Sequence, residues 1–152
     1  MLVAAVVLAG NAFGNKIDQG MMINAMDAIT ARNRTIWGKV GTSLCEAAGY
    51  CSVGVDEGWE ACGVGVNGTQ HDAQGRPTIN TTRFPSMKAM VEHGHRLGLE
   101  VGWYQNGCKC PEKVDDPLNY RGDIESLAEF GCESSAPQRR ARVTHATHHV
   151  GL

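Results

Sequence analysis

Apolar residues recur along this chain in two rhythms. LVAAVVLA (2–9), YCSVGV (50–55) and LEVGWY (99–104) are short runs with β-branched and aromatic residues, each running out into polar or glycine-rich sequence, as buried strands do. Between them, residues 16–31 set Ile17, Met21, Ala25, Ala28 and Ile29 on one stripe of an amphipathic helix. A second helix is predicted from Pro85-Ser86, carrying Met87, Met90, Val91 and Leu97 inward and breaking near Gly98. Residues 123–130 (DIESLAEF) start a third, with Asp123 near its positive N-terminal end and Ile124, Leu127 and Ala128 on its apolar side. Residues 60–83 read as a long loop, with Asp72-Ala73-Gln74-Gly75 as a turn in it. Strands alternating with helices imply parallel pairing through helical crossovers, an α/β chain. After Cys132 the pattern ends. ESSAPQRRARVTHATHHVGL (133–152) has no apolar period and reads as an irregular, disordered tail behind a folded segment 1–132.

Composition supports a globular chain. Of 152 residues 42% are apolar and 20% charged, and 19 glycines suit many tight turns. The net charge of −2 gives no basis for nucleic acid or an anionic membrane as partner. Six cysteines and three Asn-x-Thr acceptor sites, at Asn33, Asn67 and Asn80, together favour an oxidising secretory compartment. Cys45, Cys51 and Cys62 are disulfide candidates, as are Cys108 and Cys110; the pairing stays open at this level. The opening MLVAAVVLAGNAFG has two equal readings. It is either a buried first strand or the apolar part of a signal peptide with Ala12-x-Gly14 as the cleavage site. No other segment is long and apolar enough to cross a bilayer.

The candidate chemistry lies where two strands end. Asp56-Glu57-Gly58-Trp59 follows the second, and Trp103-Tyr104-Gln105-Asn106 closes the third. Acids and aromatic rings converging at the C-terminal edge of a parallel sheet are what a sugar pocket requires. The acids accept hydrogen bonds from hydroxyls, and rings stack on a pyranose face. Side chains alternate along a strand, so only one of Trp103 and Tyr104 can face a barrel interior. His93 and His95 read as packing residues of a helix. Cys108-Lys109-Cys110 with His145, His148 and His149 lacks the usual zinc-knuckle spacing, so no metal site is expected.

In that order the motifs resemble glycoside hydrolase family 27, the α-galactosidases and α-N-acetylgalactosaminidases. NAFGNKID (11–18) is similar to the family's entry to its first helix, and AGYCSVGVDEGW (48–59) to its strand ending in two acids and a tryptophan. HDAQGRP (71–77) and RFPSMKAMVEHGHRLGLEVGWY (83–104) are similar to the helix and strand that follow. The resemblance covers residues 11 to about 131. It implies the first three βα units of a (β/α)₈ barrel, and it gives NAFG a place in the first βα loop, against cleavage at Gly14.

The resemblance implies hydrolysis of terminal α-galactosides with retention, without metal or cofactor. Such a mechanism holds a nucleophilic and an acid/base carboxyl about 5 Å apart. Asp56 and Glu57 match the paired acids that bind the galactose O4 and O6 hydroxyls, Trp59 the aromatic after them, and Tyr104 the tyrosine of the pocket. Glu57 stands where the family usually has Asp, which moves its carboxylate by about 1.5 Å. The family's nucleophile sits in a Lys-x-Asp motif at the end of the fourth strand. None follows Phe130-Gly131, so no catalytic residue is assigned and the chain alone is expected to be inactive. Cys108 sits where the family has a disulfide to a cysteine just beyond the nucleophile; without that partner it is either free or paired otherwise. The expected partner is an α-galactoside, the expected location secreted or endomembrane, lysosome- or vacuole-like. A three-strand slice leaves one sheet edge open for self-association. Two rival readings are a non-catalytic galactoside-binding protein and a cysteine-rich secretory interaction protein.

Overall fold

The computed structural model describes residues 6–8 as backbone, and 14–105, 109–112 and 116–132. The expectations for Ala12, for Asn106 and Cys108, and for the segment 133–152 with its histidines lie outside the described residues.

Three parallel strands form the central sheet. β1 (Val6–Leu8), β4 (Ser52–Val55) and β5 (Glu100–Trp103) are ordered β1-β4-β5. Val7 is opposite Val53, Val53 opposite Val101 and Val55 opposite Trp103. The strand reading of the N-terminal apolar run thus holds for Val6–Leu8.

Alternation sends Val53, Val55, Val101 and Trp103 to one face, where they join the helices in a single core. Ser52, Gly54, Glu100 and Gly102 point to the other, and Ser52 Oγ donates to Glu100 Oε2 at 2.9 Å. On β4 and β5 that second face carries small and polar residues.

Helix α1 (Gln19–Thr30) is capped by Asp18, whose carboxylate accepts from the Met21 amide at 2.8 Å. Its buried stripe is Met22, Met26 and Ile29, with Ile17 ahead of it, whereas Met21 and Ala25 are only partly covered and Ala28 is exposed. Ile17 and Ile29 are buried as expected, and between them the stripe runs through Met22 and Met26, one position on from Met21 and Ala25. Two stripes are available, and burying the bulkier methionines removes more apolar area from water. Helix α3 (Met87–Arg96) supplies the groove: a Cβ at Gly94 would lie 3.2 Å from Met26 Sδ and overlap Val101. The absent side chain there lets α1, α3 and β5 close on one another. Ser86 caps α3 by accepting from the Ala89 amide at 3.1 Å, so Pro85 precedes the helix rather than opening it.

Helix α4 spans Pro117–Phe130, starting six residues before the expected Asp123. Asp116 is the N-cap and Pro117 occupies the first turn, a start signal the apolar pattern does not show. Asp123 is consequently mid-helix. Ile124 is 66% exposed and Ala128 is exposed too; the covered face is Gly122 and Ser126, with Leu127 partly buried.

Between α1 and β4 lie elements that periodicity cannot reveal. β2 (Thr35–Ile36) and β3 (Lys39–Val40) make a hairpin, turned by Trp37 and Gly38 at φ 49° and 78°. Short α2 (Leu44–Ala48) has a full capping box between Ser43 and Glu46 and ends at left-handed Gly49. A disulfide, Cys45–Cys51, ties it to the start of β4.

Candidate sugar-binding corner and an adjoining acidic cleft

The register Val55↔Trp103 puts the next residues, Asp56 and Tyr104, side by side at the C-terminal end of neighbouring strands. Continued alternation turns both away from the helix-packed face. The Tyr104 amide donates to the Val55 carbonyl at 2.6 Å, so the pairing persists to the last residue. Asp56 Oδ1 accepts from the Glu57 amide at 2.8 Å, which folds the chain sharply after β4. Gly58, at φ 122°, completes a turn that a side chain would strain.

Trp59 goes elsewhere. It is wholly buried, its indole stacks on that of Trp103 at 4.5 Å with 5° between planes, and Nε1 donates to the Tyr104 carbonyl at 2.9 Å. Phe130 of α4 meets Trp103 edge-on at 5.4 Å. Direct stacking of Trp59 on a sugar is not open to it in this fold, because the stabilising gain of burying the indole is already spent on the core. Its place is beneath the corner, holding the two strand ends in register. Tyr104, by contrast, is 50% exposed.

Glu60, next along the chain from Trp59, is buried beside the same turn. Its carboxylate is fully covered, accepting from the Gly58 amide at 2.6 Å and from Lys109 Nζ at 3.2 Å. Its other oxygen has no hydrogen-bond partner among the described residues. Next to this ion pair, Cys62–Cys110 covalently joins the loop after β4 to the segment after β5. Of the five disulfide candidates, four are therefore paired, as Cys45–Cys51 and Cys62–Cys110. The acidic corner is braced from beneath by an indole, an ion pair and a disulfide.

The long loop is a folded excursion. Bridges Glu60↔Ile79 and His71↔Pro77 close it, and the expected turn is present, with Asp72 Oδ1 accepting from the Gln74 and Arg76 amides at 2.9 Å each. It carries a second polar cluster. His71, buried, has Nε2 3.0 Å from Asp123 Oδ1 and Nδ1 2.9 Å from Glu112 Oε1, the latter an ion-pair approach rather than an aligned hydrogen bond. Burial opposes charge on this imidazole, but the hydrogen bond to Asp123 and the nearby Asp123 and Glu112 carboxylates outweigh it and raise its pKa. Burial likewise raises the pKa of Asp123, against the pull of His71.

Gln105, its amide oriented as its neighbours require, donates to Asp123 Oδ1 at 3.2 Å and accepts from Trp103 Nε1, linking this cluster to the corner. A cleft of about 290 Å³ opens beside it, lined by His71, Glu112, Asp116, Asn67 and Leu118 among others. The cleft is lined by neither Asp56, Glu57 nor Tyr104. His93 pairs instead with Asp27 of α1 at 2.7 Å, a helix-to-helix contact. Of the acceptor asparagines, Asn33 and Asn67 are exposed and Asn80 is partly covered. Among the described residues, no cluster of His, Cys, Asp and Glu could hold a metal ion, and no helix is long and apolar enough to cross a membrane.

No family model matches this sequence, and no curated protein matches it. Solved structures do. α-Galactosidase I from Mortierella vinacea superposes with a TM-score of 0.61 at 20% identity, over 83% of this chain and 28% of that one. The α-galactosidase of Saccharomyces cerevisiae gives 0.62 at 16% identity, over 83% of this chain and 24% of that one. The yeast enzyme with raffinose gives 0.61 at 16%, with the same coverage. The chain thus spans about a quarter of the length of these enzymes. The fold seen here, reached from strand register and burial, is that of the corresponding part of α-galactosidase structures.

Proposed function

We propose that this chain carries the galactose-binding corner of an α-galactosidase-type glycoside hydrolase, as the first three βα units of a (β/α)₈ barrel. Asp56 and Glu57 accept hydrogen bonds from sugar hydroxyls, and exposed Tyr104 borders the same sugar. Trp59, with Glu60 and Lys109 beneath, positions them. The observation that carries this reading is the adjacency of Asp56 and Tyr104 at the same end of paired parallel strands. Structural likeness to α-galactosidases, one of them with raffinose, supports it.

On this reading the reaction is hydrolysis of terminal α-galactosides with retention. A nucleophilic carboxylate attacks the anomeric carbon while a carboxylic acid protonates the leaving oxygen. Neither group is assigned within this sequence, so the chain alone binds without turning over. The same polypeptide is then operationally a galactoside-binding unit, and an unpaired sheet edge favours its self-association. Two disulfides support a secreted or endomembrane location.

The test is calorimetric titration of galactose into the purified chain, with glucose as control. Galactose is expected to bind and Asp56→Asn to weaken it about 10-fold, the effect of a charge-assisted hydrogen bond. A cooperatively folded chain indifferent to galactose, or equally receptive to glucose, would refute the proposal.

A further inference from the structure

Asn67 stands at the crest of the turn Val66–Gly68, with its side chain exposed and its backbone at φ 54° and ψ 30°. Asparagine tolerates this left-handed conformation better than most residues. The acceptor tripeptide Asn67-Gly68-Thr69 therefore sits in a shape that needs no change to carry a bulky group outward. Thr69 Oγ1 donates to the Val66 carbonyl at 2.7 Å and lies 3.3 Å from that of His71, and the Gly65 amide donates to the Thr69 carbonyl at 2.8 Å. Once these bonds form, the hydroxyl is committed to the turn. Modification must then come before the loop closes.

Asn80 differs. It is only partly exposed, and its Oδ1 accepts from the Arg83 amide at 3.2 Å, within the turn that leads into α3.

We propose that Asn67 is an N-glycosylation site, modified during synthesis in the same oxidising lumen that forms Cys62–Cys110 five residues away. The co-reactant is an oligosaccharide carried on a lipid pyrophosphate. Asn67 Nδ2 attacks the anomeric carbon, the C–N bond replaces the bond to phosphate oxygen, the lipid pyrophosphate leaves with the electron pair, and one amide proton is released. Because Asn67 also lines the cleft beside His71, the glycan stands over that cleft. The sugar-binding corner, which does not line the cleft, stays open. This inference does not depend on the galactoside reading.

The experiment directs the full chain into the secretory pathway of a eukaryotic cell and reads the peptide bearing Asn67 by mass spectrometry. A glycan mass is expected, and peptide N-glycosidase should convert Asn67 to Asp. Thr69→Ala, read the same way whether the protein is exported or retained, should abolish the modification, and Thr69→Ser should keep it. An unmodified Asn67 in the wild-type protein, or a glycan that survives Thr69→Ala, overturns the proposal.

Discussion

The Trp59 indole donates to the backbone carbonyl of Tyr104 at 2.9 Å, pinning the corner after one strand to the end of its neighbour. A residue expected to touch sugar instead links the ends of two strands. Trp59→Phe keeps a ring for Trp103 to stack on but leaves that carbonyl without its donor. The expected cost is about 1–3 kcal/mol, read from urea denaturation. A change under about 0.5 kcal/mol would mean that the hydrogen bond contributes nothing to the corner.

Helix α4 meets the Asp72–Arg76 turn backbone to backbone. A Cβ at Gly122 would overlap the Gly75 carbonyl and approach the Arg76 amide at 2.8 Å, with no flexible side chain to give way. Alanine favours an exposed helix interior by about 1 kcal/mol over glycine. Here the clash should win. Gly122→Ala is expected to destabilise by about 1–3 kcal/mol, measured by thermal and urea unfolding. A stabilised variant would show that α4 does not pack on this turn.

The three strands and both strand ends were legible because short β-rich runs bounded by glycine and acids report burial directly. The middle of the face that α1 buries was not, since Met21/Ala25 and Met22/Met26 both lead in helical steps to Ile29. Only the groove at Gly94 decides for Met26. The start of α4 was hidden because its first turn, PLNYRG, has little apolar period, although Asp116-Pro117 is a start signal. Ser43-x-x-Glu46 announces α2 in the same way. The place of Asp56, Glu57 and Tyr104 at the strand ends follows from the apolar runs before them, whereas the surroundings of Trp59, Glu60 and His71 depend on contacts 45 to 52 residues away in sequence. Local pattern carries no information about such partners.

The two disulfides should differ in weight. Cys62–Cys110 closes a sequence separation of 48 and Cys45–Cys51 one of 6. Chain entropy alone assigns about 4 kcal/mol to the first and about 2 kcal/mol to the second. Replacing Cys62 and Cys110 together by Ser should therefore lower the urea midpoint more than the same change at Cys45 and Cys51. It should also weaken galactose binding, because it frees the segment that holds Lys109 against Glu60. Equal losses from both pairs would argue that the long loop is held by packing alone.

His71 makes the fold sensitive to pH. Its raised pKa means that the folded chain binds this proton more tightly than the unfolded one, so unfolding releases it and stability falls as pH rises. The contribution is complete below the unfolded imidazole value of about 6.5 and disappears as pH climbs through the higher folded value. Asp123, also raised, acts with the same sign in a more acidic window, above the unfolded carboxyl value of about 3.9. The wild-type urea midpoint should accordingly drop between pH about 6 and about 8, where histidine titrates. His71→Gln retains polarity at that position without the titrating proton, and its midpoint should be flatter across the same interval. A wild-type midpoint that rises over that range would mean the two carboxylates do not hold the imidazolium, and the link between α4 and the long loop would need another source.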